Sequence, residues 1–200
     1  VYNEIKTKNG KHTEHQSNVL DISMETGTGK TYTYTKTIFE LNKTIGTYKF
    51  IIIVPTLSIK AGTVGFLKSE ASKTHFKDLY DGKELKIHVV ESKKGRKNTK
   101  SYMPQEVREF VEADSINQKQ IHILVINAGM INSPTMKENF DVDLLDRYSI
   151  PFEAIASVKP ITIVDEPHKF KKGQTTWKNI EHFKSQLVLR FGATFDDKFE

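Results

Sequence analysis

Two short stretches of this chain carry residues of the types and spacing that phosphate chemistry uses. The first reads Leu-Asp-Ile-Ser-Met-Glu-Thr-Gly-Thr-Gly-Lys-Thr over residues 20–31. Gly27 and Gly29 allow the backbone to curl until successive N–H groups point inward, and a helix opening at Lys30 adds its positive end to the same spot. Thr26, Gly27, Thr28 and Gly29 would line such a cradle. Lys30 would bring a mobile cation to the β- and γ-phosphates of ATP, and the Thr31 hydroxyl would face Mg²⁺. The second stretch, residues 161–168, reads Ile-Thr-Ile-Val-Asp-Glu-Pro-His. Asp165 and Glu166 leave the end of one strand on different faces, so one carboxylate can reach the metal while the other orients water toward the γ-phosphate.

Each stretch alone has a plainer explanation. A glycine-rich connection from strand to helix is common, and Met24 stands where the full G-x-x-x-x-G-K-[ST] pattern has its first glycine. An acidic strand end followed by Pro167 is a common way to stop a strand. Their joint presence in one chain favours a nucleotide site. A dinucleotide fingerprint fails because its third glycine position holds Tyr32. His168 lacks a second metal ligand at suitable spacing, His12 and His15 make a poor zinc pair, and no Gly-x-Ser-x-Gly elbow or cysteine nucleophile competes.

The elements able to position these groups follow from apolar patterning. Six β-type runs cover residues 19–22, 50–54, 86–90, 121–126, 161–165 and 187–191. Most are continuously apolar, as expected of strands buried on both faces, and the run that leads into the glycine turn, carried by Val19, Leu20 and Ile22, also reads as a buried strand. Helical spacing appears at Tyr34, Ile38 and Leu41, at Leu57, Ala61 and Val64, at Val107, Phe110 and Val111, and at Trp177, Ile180 and Phe183. Gly62 and Gly65 weaken the second of these helices. Alternating strands and helices predict an α/β fold with a mostly parallel sheet, right-handed crossovers and ligands at the carboxyl ends of the strands.

Composition sets the bounds. The 200 residues, 37% hydrophobic, suit one domain with a real core. No apolar run exceeds residues 50–54, which argues against a membrane span, and the polar start has no signal-type apolar region. The absence of cysteine fits a reducing, cytoplasmic location. A formal net charge of +5 weakly favours a polyanionic partner. Residues 92–101 hold five basic side chains, Lys93, Lys94, Arg96, Lys97 and Lys100, and no apolar one, which suits a solvated loop better than a phosphate-contacting patch. The acidic stretch 141–146 suits a surface.

Four segments together resemble a known group. Met-Glu-Thr-Gly-Thr-Gly-Lys-Thr at 24–31, Val-Pro-Thr-Leu-Ser at 54–58, Asp-Glu-Pro-His at 165–168 and Phe-Gly-Ala-Thr-Phe at 191–195 look like motifs I, Ia, II and III of superfamily 2 helicases, in that order. The Asp-Glu-Pro-His form, with Glu-Thr-Gly-Thr-Gly-Lys-Thr-Tyr upstream, is similar to the restriction (Res) subunit of type III restriction endonucleases. The resemblance implies a RecA-like P-loop NTPase domain with helices on both faces of its sheet, the motif III strand lying between the cradle strand and the Asp-Glu strand. It implies that Lys30 and Thr31 bind phosphate and Mg²⁺, that Asp165 holds Mg²⁺ through water, and that Glu166 is the catalytic carboxylate. Thr194, with His168, would couple nucleotide state to nucleic-acid contact. Thr56 would donate to a DNA phosphate while also capping the helix from Leu57, and Asn127 and Gly129 resemble a second nucleic-acid-facing loop. Gln16 falls where related helicases place an adenine-reading glutamine.

The resemblance further implies that residues 1–200 are the first motor domain of a longer protein, with a second RecA-like domain and a nuclease domain beyond it. The expected function is ATP-driven translocation on double-stranded DNA in support of cleavage, alongside a modification (methyltransferase) subunit. Two other expectations stay open: a repair or RNA helicase of the same superfamily, and a nucleotide-binding regulatory module without motor action.

Overall fold

A computed structural model describes residues 18–91, 103–117, 119–140, 144, 147–170 and 175–195. Gln16, His12, His15 and the basic segment 92–101 lie outside the described residues, as does the acidic stretch 141–146 apart from Leu144. Six strands, β1 (Val19–Ser23), β2 (Lys49–Val54), β3 (Glu84–Val89), β4 (Gln120–Asn127), β5 (Ile161–Asp165) and β6 (Leu187–Gly192), form one sheet. Seven helices are described: α1 (Lys30–Ile45), α2 (Leu57–Lys68), α3 (Glu70–Leu79), α4 (Gln105–Glu112), α5 (Ala128–Ile131), α6 (Pro151–Ser157) and α7 (Thr175–Glu181). The strand order is β1-β6-β5-β2-β4-β3 and every pairing is parallel. The motif III strand β6 therefore lies between the cradle strand and the Asp-Glu strand, as the resemblance implied.

The strand period of two divides the core cleanly. Phe50, Ile52 and Val54 of β2 join Tyr34, Ile38 and Phe39 of α1, Leu67 of α2 and Phe76 of α3 on one face. Ile51 and Ile53 turn the other way, to Val107 and Phe110 of α4, Phe152 and Ile155 of α6 and Ile180 of α7. Helices thus cover both faces, and β2, β5 and nearly all of β4 are buried.

The buried reading of residues 19–22 is corrected by the structure. β1 is an edge strand that pairs only with β6, and Leu20 is 38% exposed. Arg190 of β6 instead grips Asp21 of β1 with two parallel hydrogen bonds, supplying from side chains what this edge lacks in apolar cover. β3 is the other edge, and its residues alternate between exposed and half-buried along most of its length.

Helix boundaries follow local chemistry. α1 begins at Gly29, whose φ of 87° no ordinary side chain adopts comfortably, and ends at Gly46, also left-handed. Its threonines are accommodated because Thr33, Thr35 and Thr37 each donate to the carbonyl four residues back. α2 runs through Gly62 and Gly65 without a break and stops at Ser69, which turns extended and caps α3 by accepting from the Ser72 N–H. Apolar spacing did not announce α3, α5 or α6.

Beneath α4 the sheet buries two imidazoles. His88 Nε2 and His122 Nδ1 are 3.1 Å apart, and His88 Nδ1 lies 3.5 Å from a Glu109 oxygen. Burial holds His122 down to about 4, helped by His88, Lys49 and Lys86 and opposed by Asp114. His88 is lowered as well, first by burial, with Glu109 and Glu106 pulling the other way. The fold keeps both rings neutral, so on acidification the unfolded chain takes up protons first. This contribution to stability is complete above about pH 6.5 and is lost as pH falls toward about 4. Urea midpoints should drop across that window, and His122→Gln should flatten the drop; equal pH slopes in the two proteins would assign acid sensitivity elsewhere.

Candidate active site

The turn between β1 and α1 puts Thr26, Gly27, Thr28 and Gly29 at the surface and Lys30 inside. Gly27 and Gly29 have φ of 85° and 87°, and a Cβ at either would meet open space. Backbone conformation, not crowding, is what requires glycine there. Thr28 closes the turn, its hydroxyl donating to the Glu25 carbonyl at 2.7 Å. The amides at the head of a helix such as α1 are the kind of backbone group that receives an anion.

The Lys30 ammonium pairs with Glu166 Oε1, and the two residues are 8% and 6% exposed. Its further contact is the Met24 carbonyl at 3.5 Å. Asp165 ends β5, while Glu166 follows with a left-handed backbone, φ 54° and ψ 59°. This turn, more than the pleat, separates the two carboxylates. It carries Glu166 back to Lys30 and leaves its second oxygen 3.3 Å from His168 Nε2.

Asp165 Oδ1 is buried without a hydrogen-bond partner. Burial, then the neighbouring Glu166, pushes the Asp165 carboxyl up to about 6, against the pull of Lys30. One ammonium among two buried carboxylates leaves an excess negative charge. The site thus fits Mg²⁺, a hard cation that takes one or two protein carboxylates and completes its shell with water and substrate phosphate. Among the described residues no group of three His, Cys, Asp or Glu could hold a metal unaided.

The end of β6 joins the two stretches. The Gly192 carbonyl accepts from the Met24 N–H at 2.8 Å, and the Phe191 carbonyl accepts from the Glu166 N–H at 2.9 Å. A Cβ on Gly192 would lie 2.9 Å from Cδ of Pro167. Sequence reasoning treated this glycine as part of a motif and missed its steric role, which only the Pro167 contact reveals.

The remaining candidates fall at two places. Thr194, just past β6, and His168, just past β5, are exposed. Thr56 caps α2, accepting from the Ile59 N–H at 3.3 Å, while Asn127 ends β4 in register with Val54 of β2. Asn127 and Gly129 line a largely apolar groove with Leu57, Ala61 and Val64 of α2. The structure therefore groups Thr56, Asn127 and Gly129 at one part of the carboxyl edge and Lys30, Asp165, Glu166 and His168 at another.

A parallel sheet of this order, with a lysine cradle and an Asp-Glu pair converging at its carboxyl rim, defines a helicase-like ATPase domain of the RecA-like P-loop class. A family model described as "Type III restriction enzyme, res subunit" matches residues 1–197. The chain belongs to that family. It is 60% identical over 187 residues to the type III restriction-modification enzyme EcoPI Res subunit of Escherichia phage P1, a match covering 92% of this chain and 19% of the relative. It is 56% identical over 202 residues to the EcoP15I Res subunit of Escherichia coli, covering 100% of this chain and 21% of the relative. The chain thus spans about a fifth of the length of these curated relatives. A solved Sulfolobus solfataricus SWI2/SNF2 ATPase core in complex with dsDNA aligns over 90% of this chain and 28% of its own, with a TM-score of 0.47 and 13% identity. No helix among the described residues is long and apolar enough to cross a membrane.

Proposed function

We propose that residues 1–200 form the ATP-binding first motor domain of a cytoplasmic type III restriction endonuclease, turning ATP hydrolysis into movement on double-stranded DNA in support of cleavage. The convergence of Lys30 with the Asp165–Glu166 pair at one rim carries this proposal. In it, residues 26–29 wrap the phosphates with backbone amides and Lys30 leaves Glu166 for the β- and γ-phosphates. Thr31 and Asp165 hold Mg²⁺, which when bound neutralises charge on the phosphates. Glu166, freed from Lys30 and steadied by His168, orients the attacking water. Thr194 and His168 couple nucleotide state to nucleic-acid contact. Thr56, Asn127 and Gly129 meet the DNA backbone, and a modification (methyltransferase) subunit is the protein partner.

The test is ATP turnover by the longer protein with duplex DNA, single strands, RNA or no nucleic acid. Stimulation by duplex DNA is the expected result. Stimulation by RNA or single strands alone would favour the helicase alternative, and indifference to every nucleic acid would favour a regulatory nucleotide-binding module.

Gly192→Ala probes the junction of the three motifs. The added methyl must displace Pro167, so stability should fall by about 1–3 kcal/mol, the usual range for overpacking. Because Pro167 adjoins Glu166 rather than the cradle, kcat should fall more than KM rises. Thermal melts with steady-state kinetics check both, and an unaltered protein would show that Pro167 moves aside freely.

A further inference from the structure

Asn127 and Gly129 stand at one part of the carboxyl edge and the Asp-Glu pair at another, and the short helix α7 reaches both. On one side it meets α5, which Asn127 opens and Asn132 closes. Asn179 Nδ2 of α7 donates to Asn132 Oδ1 at 2.9 Å, and Asn132 Nδ2 donates to Thr176 Oγ1 of α7 at 2.6 Å. Asn179 is 1% exposed and Thr176 3%. On the other side Trp177 Nε1 donates to the Phe170 carbonyl at 3.1 Å, and the two rings meet edge-on with centroids 5.9 Å apart. Phe170 closes the tight turn that Glu166 opens: its N–H donates to the Pro167 carbonyl and the Lys169 N–H to the Glu166 carbonyl, each at 3.0 Å.

Met130 and Ile131 of α5 and Ile180 of α7 already share an apolar cluster, so adhesion between the two helices does not call for the polar trio. Apolar contact has no direction, whereas buried amides and a hydroxyl that satisfy one another fix one register and penalise any slip that parts them. We propose that α7 is a coupling strut, with Asn179 and Trp177 as its positioning residues. Asn179 holds α5 behind the Asn127 and Gly129 loop, and Trp177 holds the turn that carries Glu166 and His168. A shift of the loop on nucleic acid is then passed to the water-orienting carboxylate through contiguous hydrogen-bonded elements. The strut rests on the proposed function above and assigns roles to residues outside the proposed nucleotide and DNA contacts.

The experiment uses the longer protein. ATP turnover is measured with and without duplex DNA, and amide hydrogen exchange of α5 is followed with and without a non-hydrolysable ATP analogue and Mg²⁺. In the parent the analogue should slow exchange at residues 129–132. Asn179→Leu, which swaps the amide for an apolar group, and Trp177→Phe, which keeps an aromatic ring, should each cut DNA stimulation by about 2- to 10-fold, the worth of one neutral hydrogen bond. DNA-free turnover and analogue affinity should stay at the parent level, while the analogue no longer slows exchange at residues 129–132. Because both changes act on one strut, the double variant should lose less stimulation than the product of the two single losses. Parent-like stimulation and protection in Trp177→Phe would overturn the proposal, and this variant carries the test if Asn179→Leu does not fold. Equal loss of turnover with and without DNA, the mark of a merely loosened fold, would also overturn it. The parent separates the two levels: protection of α5 by the analogue without stimulation by any nucleic acid would overturn the motor reading and keep the link from nucleotide to α5, whereas stimulation without protection would overturn the strut alone.

Discussion

Lys30→Ala should weaken ATP binding on the order of 100-fold, the largest effect on binding expected of any single change in this chain. Lys30 is the cation that the buried site places against its carboxylates, and the exposed amides of the cradle alone cannot replace it. The same substitution should also destabilise the nucleotide-free protein. Removing one member of a buried ion pair leaves the other uncompensated, typically at about 3–5 kcal/mol, and here Asp165 lies beside the abandoned Glu166. Without the pull of Lys30 the Asp165 carboxyl is favoured still more in its protonated form, so the variant's deficit should be larger at pH 8 than near pH 5.5, where Asp165 can take up a proton. Equilibrium binding and urea melts at the two pH values test this. Retained ATP affinity in a folded Lys30→Ala protein would place the triphosphate elsewhere.

Glu166→Gln should separate binding from chemistry. The amide keeps the shape of the side chain and an oxygen to accept from Lys30, so the cradle stays formed. It removes a negative charge that would face the triphosphate, so ATP should bind at least as tightly as to the parent. What it loses is basicity. Turnover by the longer protein should fall by about 10²- to 10⁴-fold, the usual contribution of a positioned acid or base. Single-turnover hydrolysis measured beside direct binding gives both numbers, and a Gln variant turning over at the parent rate would remove Glu166 from the water-orienting role.

A third consequence concerns the resting site. Asp165 is raised to about 6, so the folded state binds a proton more readily than the unfolded chain between the ordinary carboxylate range and that value. Stability contributed by this residue therefore declines as pH rises through the window and stays reduced at neutral pH. The tension lies where a cation is expected. Binding of Mg²⁺ with nucleotide should accordingly raise the melting temperature more at pH 7.5 than at pH 5.5.

Much of this was written locally. The six runs became six strands almost to the residue, and the signal was clearest in β2, β4 and β5, because a strand buried between two helical layers must be apolar at nearly every position. Gly27, Thr28, Gly29, Lys30 and Thr31 sit consecutively, so their turn and its helix follow from residues that are neighbours in the chain. Thr56 marked the start of α2 for the same reason. The end of α2 was less legible, since Ser69 serves as both stop and start and leaves little apolar signal between two helices.

The sequence by itself determined the strands, the glycine turn before α1 and the pair of carboxylates, since each depends on the conformational preferences and hydrophobic period of contiguous residues. Only the tertiary structure decided that β1 is an exposed edge, that Lys30 rests on Glu166, that Gly192 must yield space to Pro167, and that Tyr34 reaches Thr63. Those facts arise from parallel pairing and helix packing between segments far apart in the chain. Pairing and packing fix distances that no local pattern records.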